Sequence, residues 1–393
     1  MKPLPTKAVI LAGGLGTRLE PITKTRHKSL VLFKNKTILE HQIEQLLKLQ
    51  FSKIIVLTGH LSTQVEDYIH SKNISSKVIF RKSNPKFSAK QRMLKFESEI
   101  GNNFLLLYCD NYVDNEVLLK KIIKSTSSIT FLLQKRDRGN VLIKNNKTVR
   151  YFNLKRSKKY PFVELGYLNI KSINFFNVLR KSVSLAECLS SMTLTEDSSY
   201  FKINHKYFSA STFKSYKTEL KKERILILDR DGIINEKMEP RKYVTNLGKF
   251  KYIKENIAVM EKLSSVGYKF VIATNQPGVA TGDVNIKFLN QLHQKIVLDL
   301  LKLNIDILAI YTCVHSWNDN CKCRKPKPGL LLKAMEDFQI KARSTLYIGD
   351  EEKDALAARS AGIKFVLIRS SDNLLSSTHK SFKRALPYII ANT

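Results

Sequence analysis

Two aspartates one residue apart, Asp229 and Asp231, follow the apolar run Ile225–Leu228 and precede Gly232. Such a run reads as a buried strand, so both carboxylates fall just past its end. A carboxylate can attack phosphorus once a divalent cation screens the repulsion between anions, and a second carboxylate can protonate the leaving oxygen. The order suggests Asp229 as nucleophile and Asp231 as acid, then base. Alone, the tetrapeptide Asp229-Arg230-Asp231-Gly232 is as readily a strand-ending turn. The residues downstream argue against that bland reading. The run Lys269–Ala273 ends in Thr274, Asn275 and Gln276, a hydroxyl and two amides that could hold phosphoryl oxygens. Arg324 and Lys325 then offer adjacent cations, and Thr345–Ile348 leads into Gly349 and Asp350, with Asp354 one helical turn later. Nucleophile, acid, oxygen donors, cation and acidic metal ligand are the parts a phosphoryl site needs.

Three of the five cysteines, Cys313, Cys321 and Cys323, cluster around His315. Three thiolates and an imidazole form the ligand set of a closed tetrahedral Zn2+ site, and in a reducing compartment such a cluster reads as metal before disulfide. The ion would fold a loop too polar to fold alone and would aim Arg324 and Lys325 at the phosphate. Trp317, the sole tryptophan, is expected to pack inside this loop.

A second candidate phosphate cradle lies near the N-terminus. The run Lys7–Ala12 ends in Gly13, Gly14, Gly16, Thr17 and Arg18, where bare backbone N–H groups can hold phosphates and Arg18 can neutralise them.

Asp229, Asp231, Thr274, Lys325 and Gly349-Asp350 together resemble the four motifs of the haloacid dehalogenase-like phosphatases. The resemblance implies an aspartyl-phosphate intermediate and Mg2+ held by Asp229, the backbone carbonyl of Asp231, and Asp350. With Asn235, Gly278, the Cys/His loop and the string Arg324 to Gly329, the stretch Ile225–Ile368 closely resembles the D-glycero-D-manno-heptose 1,7-bisphosphate 7-phosphatases and the related histidinol-phosphate phosphatases. Glu351 departs from that pattern, where a lysine is expected.

From Ala8 to Thr212 the chain resembles the sugar-1-phosphate nucleotidyltransferases, which join a nucleoside monophosphate from an NTP to a sugar 1-phosphate with the help of Mg2+. The resemblance places Gly13, Gly14, Gly16, Thr17, Arg18 and Lys28 around the triphosphate, Asp110 on Mg2+, and Lys155 and Gly166 on the sugar side. His27 and Ser29 replace prolines, Ser88-Ala89-Lys90 stands in place of a Gly-Thr-Ala stretch, and Cys109 replaces a glycine. Phe208–Thr212 takes the place of a late Asp-Ile-Gly-Thr motif, so a second metal-binding aspartate is not expected there.

These residues need rigid elements behind them. Apolar runs at Lys7–Gly13, Lys53–Thr58, Phe104–Cys109, Ile129–Gln134 and Tyr167–Ile170, with a helical pattern over Ile38–Leu49, predict one α/β sheet. Runs at Ile225–Leu228, Lys269–Ala273, Ile307–Tyr311, Thr345–Ile348 and Lys364–Ile368 predict another. The expectation is two doubly wound, mainly parallel domains over residues 1–220 and 221–393, divided near Lys221 within the lysine-rich stretch Lys214–Arg224, and 393 residues suffice for two cores.

With 43% hydrophobic residues the composition is that of a globular protein, and no apolar stretch is long enough to span a bilayer. A cytoplasmic protein is expected, the first residues lacking a signal-peptide pattern. The net charge of +33 suits phosphorylated substrates, but the lysines are dispersed and form no basic stripe interleaved with aromatics, which disfavours nucleic acid and a polynucleotide 3′-phosphatase. The leading expectation is a bifunctional enzyme of nucleotide-activated heptose synthesis, acting on sugar phosphates and an NTP. Its rival is an active phosphatase joined to an N-terminal binding or scaffold module.

Overall fold

The structure is a computed structural model that describes residues 4–74, 76–144, 148–204, 207–220, 223–368 and 378–393. It divides into two compact units. The first comprises Met1–Leu19 and His27–Thr212, the second Glu20–Arg26 and Phe213–Thr393. Position 221, the expected boundary, lies outside the described residues.

In the first unit the central strand Lys7–Ala12 pairs in parallel with Lys53–Thr58 and Asn103–Tyr108, and Lys53–Thr58 pairs in parallel with Val78–Lys82. The far side is antiparallel, Phe162–Lys171 pairing with both Asn103–Tyr108 and Ile129–Lys135. Val9, Ile10, Ile55, Leu106 and Leu107 have no exposed surface, which is why these strands read as unbroken apolar runs rather than alternating ones. The helix Ile38–Lys48 starts at a capping box, in which the Thr37 side chain accepts from the Glu40 N–H and Glu40 accepts from the Thr37 N–H.

The second unit has six strands in the order Ile307–Cys313, Tyr268–Asn275, Arg224–Leu228, Leu346–Gly349, Lys364–Ile368 and Thr378–His379, every pair parallel. The first strand in sequence therefore lies in the middle, with one neighbour reached on each side. That reversal opens a crevice at the strands' C-terminal ends, where α/β sheets hold ligands. Asp229, Thr274 and Asp350 all sit on that edge. Among the described residues no helix is long and apolar enough to cross a membrane.

The segment Glu20–Arg26 belongs to the second unit through a buried ion cluster. Arg26 donates to Asp306 Oδ1 at 2.7 Å and to the Ile307 carbonyl at 2.8 Å, while Lys269 Nζ lies 2.8 Å from Asp306 Oδ2. Burial pushes the Asp306 carboxyl up, but Lys269 and Arg26 together overcome it and hold it at about 2.

Candidate active sites

In the second unit Lys325 is the centre of the array. Its side chain has no exposed surface, and its ammonium lies 2.8 Å from Asp229 Oδ1 and 2.8 Å from Asp354 Oδ1. It also donates to the Tyr347 hydroxyl at 2.8 Å and the Ala273 carbonyl at 3.1 Å. A buried ammonium needs this many partners, and the two carboxylates keep it charged against burial. Burial, aided by Asp354 and Asp231 and opposed by Lys325, pushes the Asp229 carboxyl up to about 7.

Asp231 lies in the opposite environment. Burial would raise it, but Arg230 grips both its oxygens at 2.8 and 2.9 Å, Asn235 donates at 2.9 Å and Gln276 at 2.7 Å, and its carboxyl is held below the usual range. Arg230 is itself buried against His293 at 3.4 Å, and burial and this guanidinium push His293 down to about 3, so the imidazole stays neutral at Arg230's side. The two neighbouring carboxylates thus have opposite environments, burial favouring the proton on Asp229 and the surrounding donors favouring the anion on Asp231.

The two amides after Thr274 act on protein groups. Asn275 accepts from the Lys325 N–H at 3.1 Å and donates to the Lys325 carbonyl at 3.0 Å, clamping the backbone that presents the ammonium. Gln276 donates to Asp231 and, at 2.8 Å, to the Thr274 hydroxyl oxygen, which leaves the hydroxyl proton for another acceptor. The sequence pattern points both amides at substrate oxygens; in the structure they bond to Lys325, Asp231 and Thr274. It gave no role to Arg230 or Lys237, which nothing in the local sequence pattern marks.

Asp350 stands beside this array, and ligand oxygens of Asp229, Asp350 and Asp354 lie within 4.8 Å of one another. Asp354 is committed to Lys325 and Tyr347. Asp350 Oδ1 is buried with no partner, the mark of a carboxylate oxygen shaped for a cation, and Gly232 approaches so closely that a Cβ there would fall 2.4 Å from Asp350 Oδ2. Asp229 and Asp350 therefore fit a Mg2+ ion. Lys237 reaches Asp350 at 3.1 Å and also Glu351, so a lysine from another loop stands where Glu351 departs from the expected lysine.

A cavity of about 220 Å3 opens from Asp231 and Gln276, with Lys237, Arg241, Tyr243 and Arg324 in its walls. Trp317 lines it too. Contrary to expectation, Trp317 does not pack inside the Cys/His loop: it is 55% exposed, with the Arg324 guanidinium 4.9 Å above its ring. The short loop offers it no apolar enclosure.

Cys313, His315, Cys321 and Cys323 come together, with four of their separations at 3.2, 3.5, 3.6 and 3.7 Å. Ligands at about 2.0–2.3 Å from one tetrahedral ion are roughly 3.3–3.8 Å apart, so the set fits a closed site. Arg324 donates to the His315 carbonyl at 3.4 Å, which joins that loop to the cavity wall.

In the first unit a cavity of about 190 Å3 brings together Gly14, Gly16, Thr17, Arg18, Lys28 and Asp110. Lys28 Nζ lies 3.2 Å from Asp110 Oδ2. Gly13 is buried and does not line the cavity, its carbonyl accepting from Arg92 at 2.7 Å. Lys155 is on the strand Thr148–Ser157 and Gly166 on Phe162–Lys171, and neither lines the cavity.

The fold and these sites define a phosphatase crevice preceded by a nucleotide-transferase-like cradle. A model of the haloacid dehalogenase-like hydrolases matches residues 176–368, opening ahead of the strand Arg224–Leu228, and a model of the nucleotidyl transferases matches residues 7–141. The chain belongs to the haloacid dehalogenase-like hydrolases, as a phosphoric monoester hydrolase, and carries a nucleotidyl transferase domain ahead of that half. It is 36% identical over 172 residues to the D-glycero-beta-D-manno-heptose-1,7-bisphosphate 7-phosphatase of Helicobacter pylori, covering 42% of this chain and 97% of that protein. It is 33% identical to the D-glycero-alpha-D-manno-heptose-1,7-bisphosphate 7-phosphatase of Photorhabdus laumondii, over 36% of this chain and 80% of that protein. The inositol-1-phosphate CTP transferase from T. maritima is similar over 55% of this chain and 93% of its own, at 15% identity and a TM-score of 0.46.

Proposed function

We propose that the second unit removes the 7-phosphate of D-glycero-D-manno-heptose 1,7-bisphosphate. The single observation behind this reading is the joint placement of a buried nucleophile, Asp229, against Lys325 and beside Asp231, which itself lines a cavity walled by cations. With substrate bound, the proton that burial favours on Asp229 moves to Asp231; the freed Asp229 carboxylate attacks the phosphorus in line, the ester bond breaks, and Asp231 gives that proton to the departing sugar oxygen. Asp231 then takes a proton from water, whose oxygen attacks the aspartyl phosphate and restores Asp229. Thr274 and Lys325 hold phosphoryl oxygens, while Gln276 and Asn275 fix Asp231 and Lys325. Mg2+ at Asp229 and Asp350 would screen the repulsion between carboxylate and phosphate. Cys313, His315, Cys321 and Cys323 would hold a structural Zn2+, with no open position for water. Arg241 and Arg324 suit the phosphate at the far end of a bisphosphate. A cytoplasmic setting agrees with the free thiols of this cluster.

The product, heptose 1-phosphate, is of the class that nucleotidyl transferases accept, which would make the chain bifunctional. The rival reading, a first unit that binds without transfer, is favoured by Ala210 and Ser211 in the wall next to Asp110.

A substrate panel tests the phosphatase reading: alpha and beta heptose 1,7-bisphosphates, histidinol phosphate and a 3′-phosphorylated oligonucleotide, each scored by phosphate release. A heptose bisphosphate should have the highest kcat/KM. Faster turnover of histidinol phosphate or of the oligonucleotide would overturn it.

A further inference from the structure

The nucleotidyl transferase resemblance of the first unit implies Mg2+ at Asp110, and the surroundings of Asp110 do not fit it. Magnesium bridging protein and phosphate draws on hard oxygen ligands, and two-metal transfer centres use more than one carboxylate. Among the described residues Asp110 is the one carboxylate lining the cavity, without the second that Asp350 has in Asp229, and the Lys28 ammonium lies 3.2 Å from its Oδ2 in a pair largely sheltered from water. The Ala210 N–H donates to the Asp110 carbonyl at 2.8 Å, which sets a methyl group and then the Ser211 hydroxyl in the same cavity wall. A second buried acid that feels Asp110, Glu164, turns back to accept from the Gly166 N–H. Burial, opposed by that bond, pushes its carboxyl up to about 8, which leaves it mostly protonated at neutral pH. Among the described residues Asp110 belongs to no cluster of three or more metal-ligating side chains.

The same cavity is well made for an anion. The exposed Arg18 and the Lys28 ammonium line it together with the bare backbone of Gly14 and Gly16. Two cations against one carboxylate leave the cavity net positive.

We infer that the first unit is a metal-independent binding site for the phosphate groups of a nucleotide or sugar phosphate, held by Arg18, Lys28 and the glycine loop, and that it does not catalyse nucleotidyl transfer. Such a site would bind its anion whichever sugar the phosphatase accepts.

The test uses the full chain carrying Asp229→Asn, so that the phosphatase does not consume the probes. ATP, CTP, GTP, UTP and glucose 1-phosphate are titrated by calorimetry in EDTA and again in Mg2+. At least one should bind in EDTA, with an affinity that Mg2+ changes by no more than about threefold. Arg18→Ala should weaken that binding by about tenfold or more, the loss of one charge-assisted contact. Ala210→Asp, which supplies a second carboxylate, should make binding stronger in Mg2+ than in EDTA. Pyrophosphate release from any NTP with glucose 1-phosphate or heptose 1-phosphate would overturn the inference. So would binding that requires Mg2+, binding indifferent to Arg18→Ala, or no binding of any probe. Phosphate release by the unsubstituted chain is scored separately, so failure of this inference is distinguishable from failure of the phosphatase reading.

Discussion

Replacing Arg26 with Ala should destabilise the second unit although Arg26 lies about two hundred residues ahead of the phosphatase strands in sequence. Arg26 and Asp306 are 1% and 3% exposed, so their attraction is little screened by water. Holding the Asp306 carboxyl at about 2 rather than 3.8 corresponds to roughly 2.5 kcal/mol of net stabilisation after burial has opposed it. Lys269 supplies the larger part and survives the substitution, which leaves about 1 kcal/mol to Arg26. The hydrogen bond to Ile307 adds about 1 kcal/mol, and truncating a large buried side chain adds about 1 more. Arg26 Nε is buried without a partner, so its removal gives a little back. The expected loss is about 2–3 kcal/mol. Urea unfolding followed by fluorescence of Trp317, the only tryptophan and a residue of the second unit, reads this transition separately from the first unit. The effect should also depend on acid. Because the folded Asp306 carboxyl lies below its unfolded value, its contribution is complete above about pH 4 and disappears as pH falls through about 2. The gap between Arg26→Ala and the unsubstituted protein should therefore narrow over that window. A change below about 0.5 kcal/mol at pH 7, or a gap that widens on acidification, would refute the reasoning.

Asp229→Asn should abolish phosphate release with the fold intact, and Asp231→Asn should slow turnover enough to leave a trapped phospho-enzyme detectable by mass; residual turnover near the unsubstituted rate in either would count against their roles as nucleophile and acid. Asn275→Ala should lower kcat by about tenfold or more through a displaced Lys325, with KM less affected; a change confined to KM would mean that Asn275 contacts substrate instead. Metal analysis of reduced protein should find about one zinc per chain, and Cys321→Ser should lose it; unchanged zinc in that variant would remove the four-ligand site.

The candidate site residues Asp229, Thr274 and Asp350 are legible because each stands at the end of an apolar run, and a parallel sheet sends such ends to one edge. Asp229, Thr274 and Asp350 needed only local patterns to be found. The direction of a side chain is a different matter. Asn275 and Gln276 meet partners 50 and 45 residues away, and no spacing within Thr274-Asn275-Gln276 says that their amides turn toward Lys325 and Asp231. Trp317 was assigned to an interior because large aromatic rings usually find one, but the tight Cys/His loop has no apolar lining, and a stacked guanidinium is the cover the ring obtains.

The boundary illustrates the same limit at a larger scale. Lys214–Arg224 reads as a linker because it is rich in lysine, yet Phe213–Leu220 is a helix with Tyr216 and Leu220 buried, its lysines standing on the other face. Composition averages the two faces of a helix, whereas burial depends on one of them. Arg26 is harder still, since its partner Asp306 is 280 residues away and an isolated arginine in a loop carries no local sign of burial. A buried cation is recognisable only once the carboxylate that neutralises it is in place, because the desolvation cost of either alone would exclude both from the interior. Local sequence can therefore disclose the strand ends that carry the chemistry, while the long-range charge pairs that complete the second unit become visible only in three dimensions.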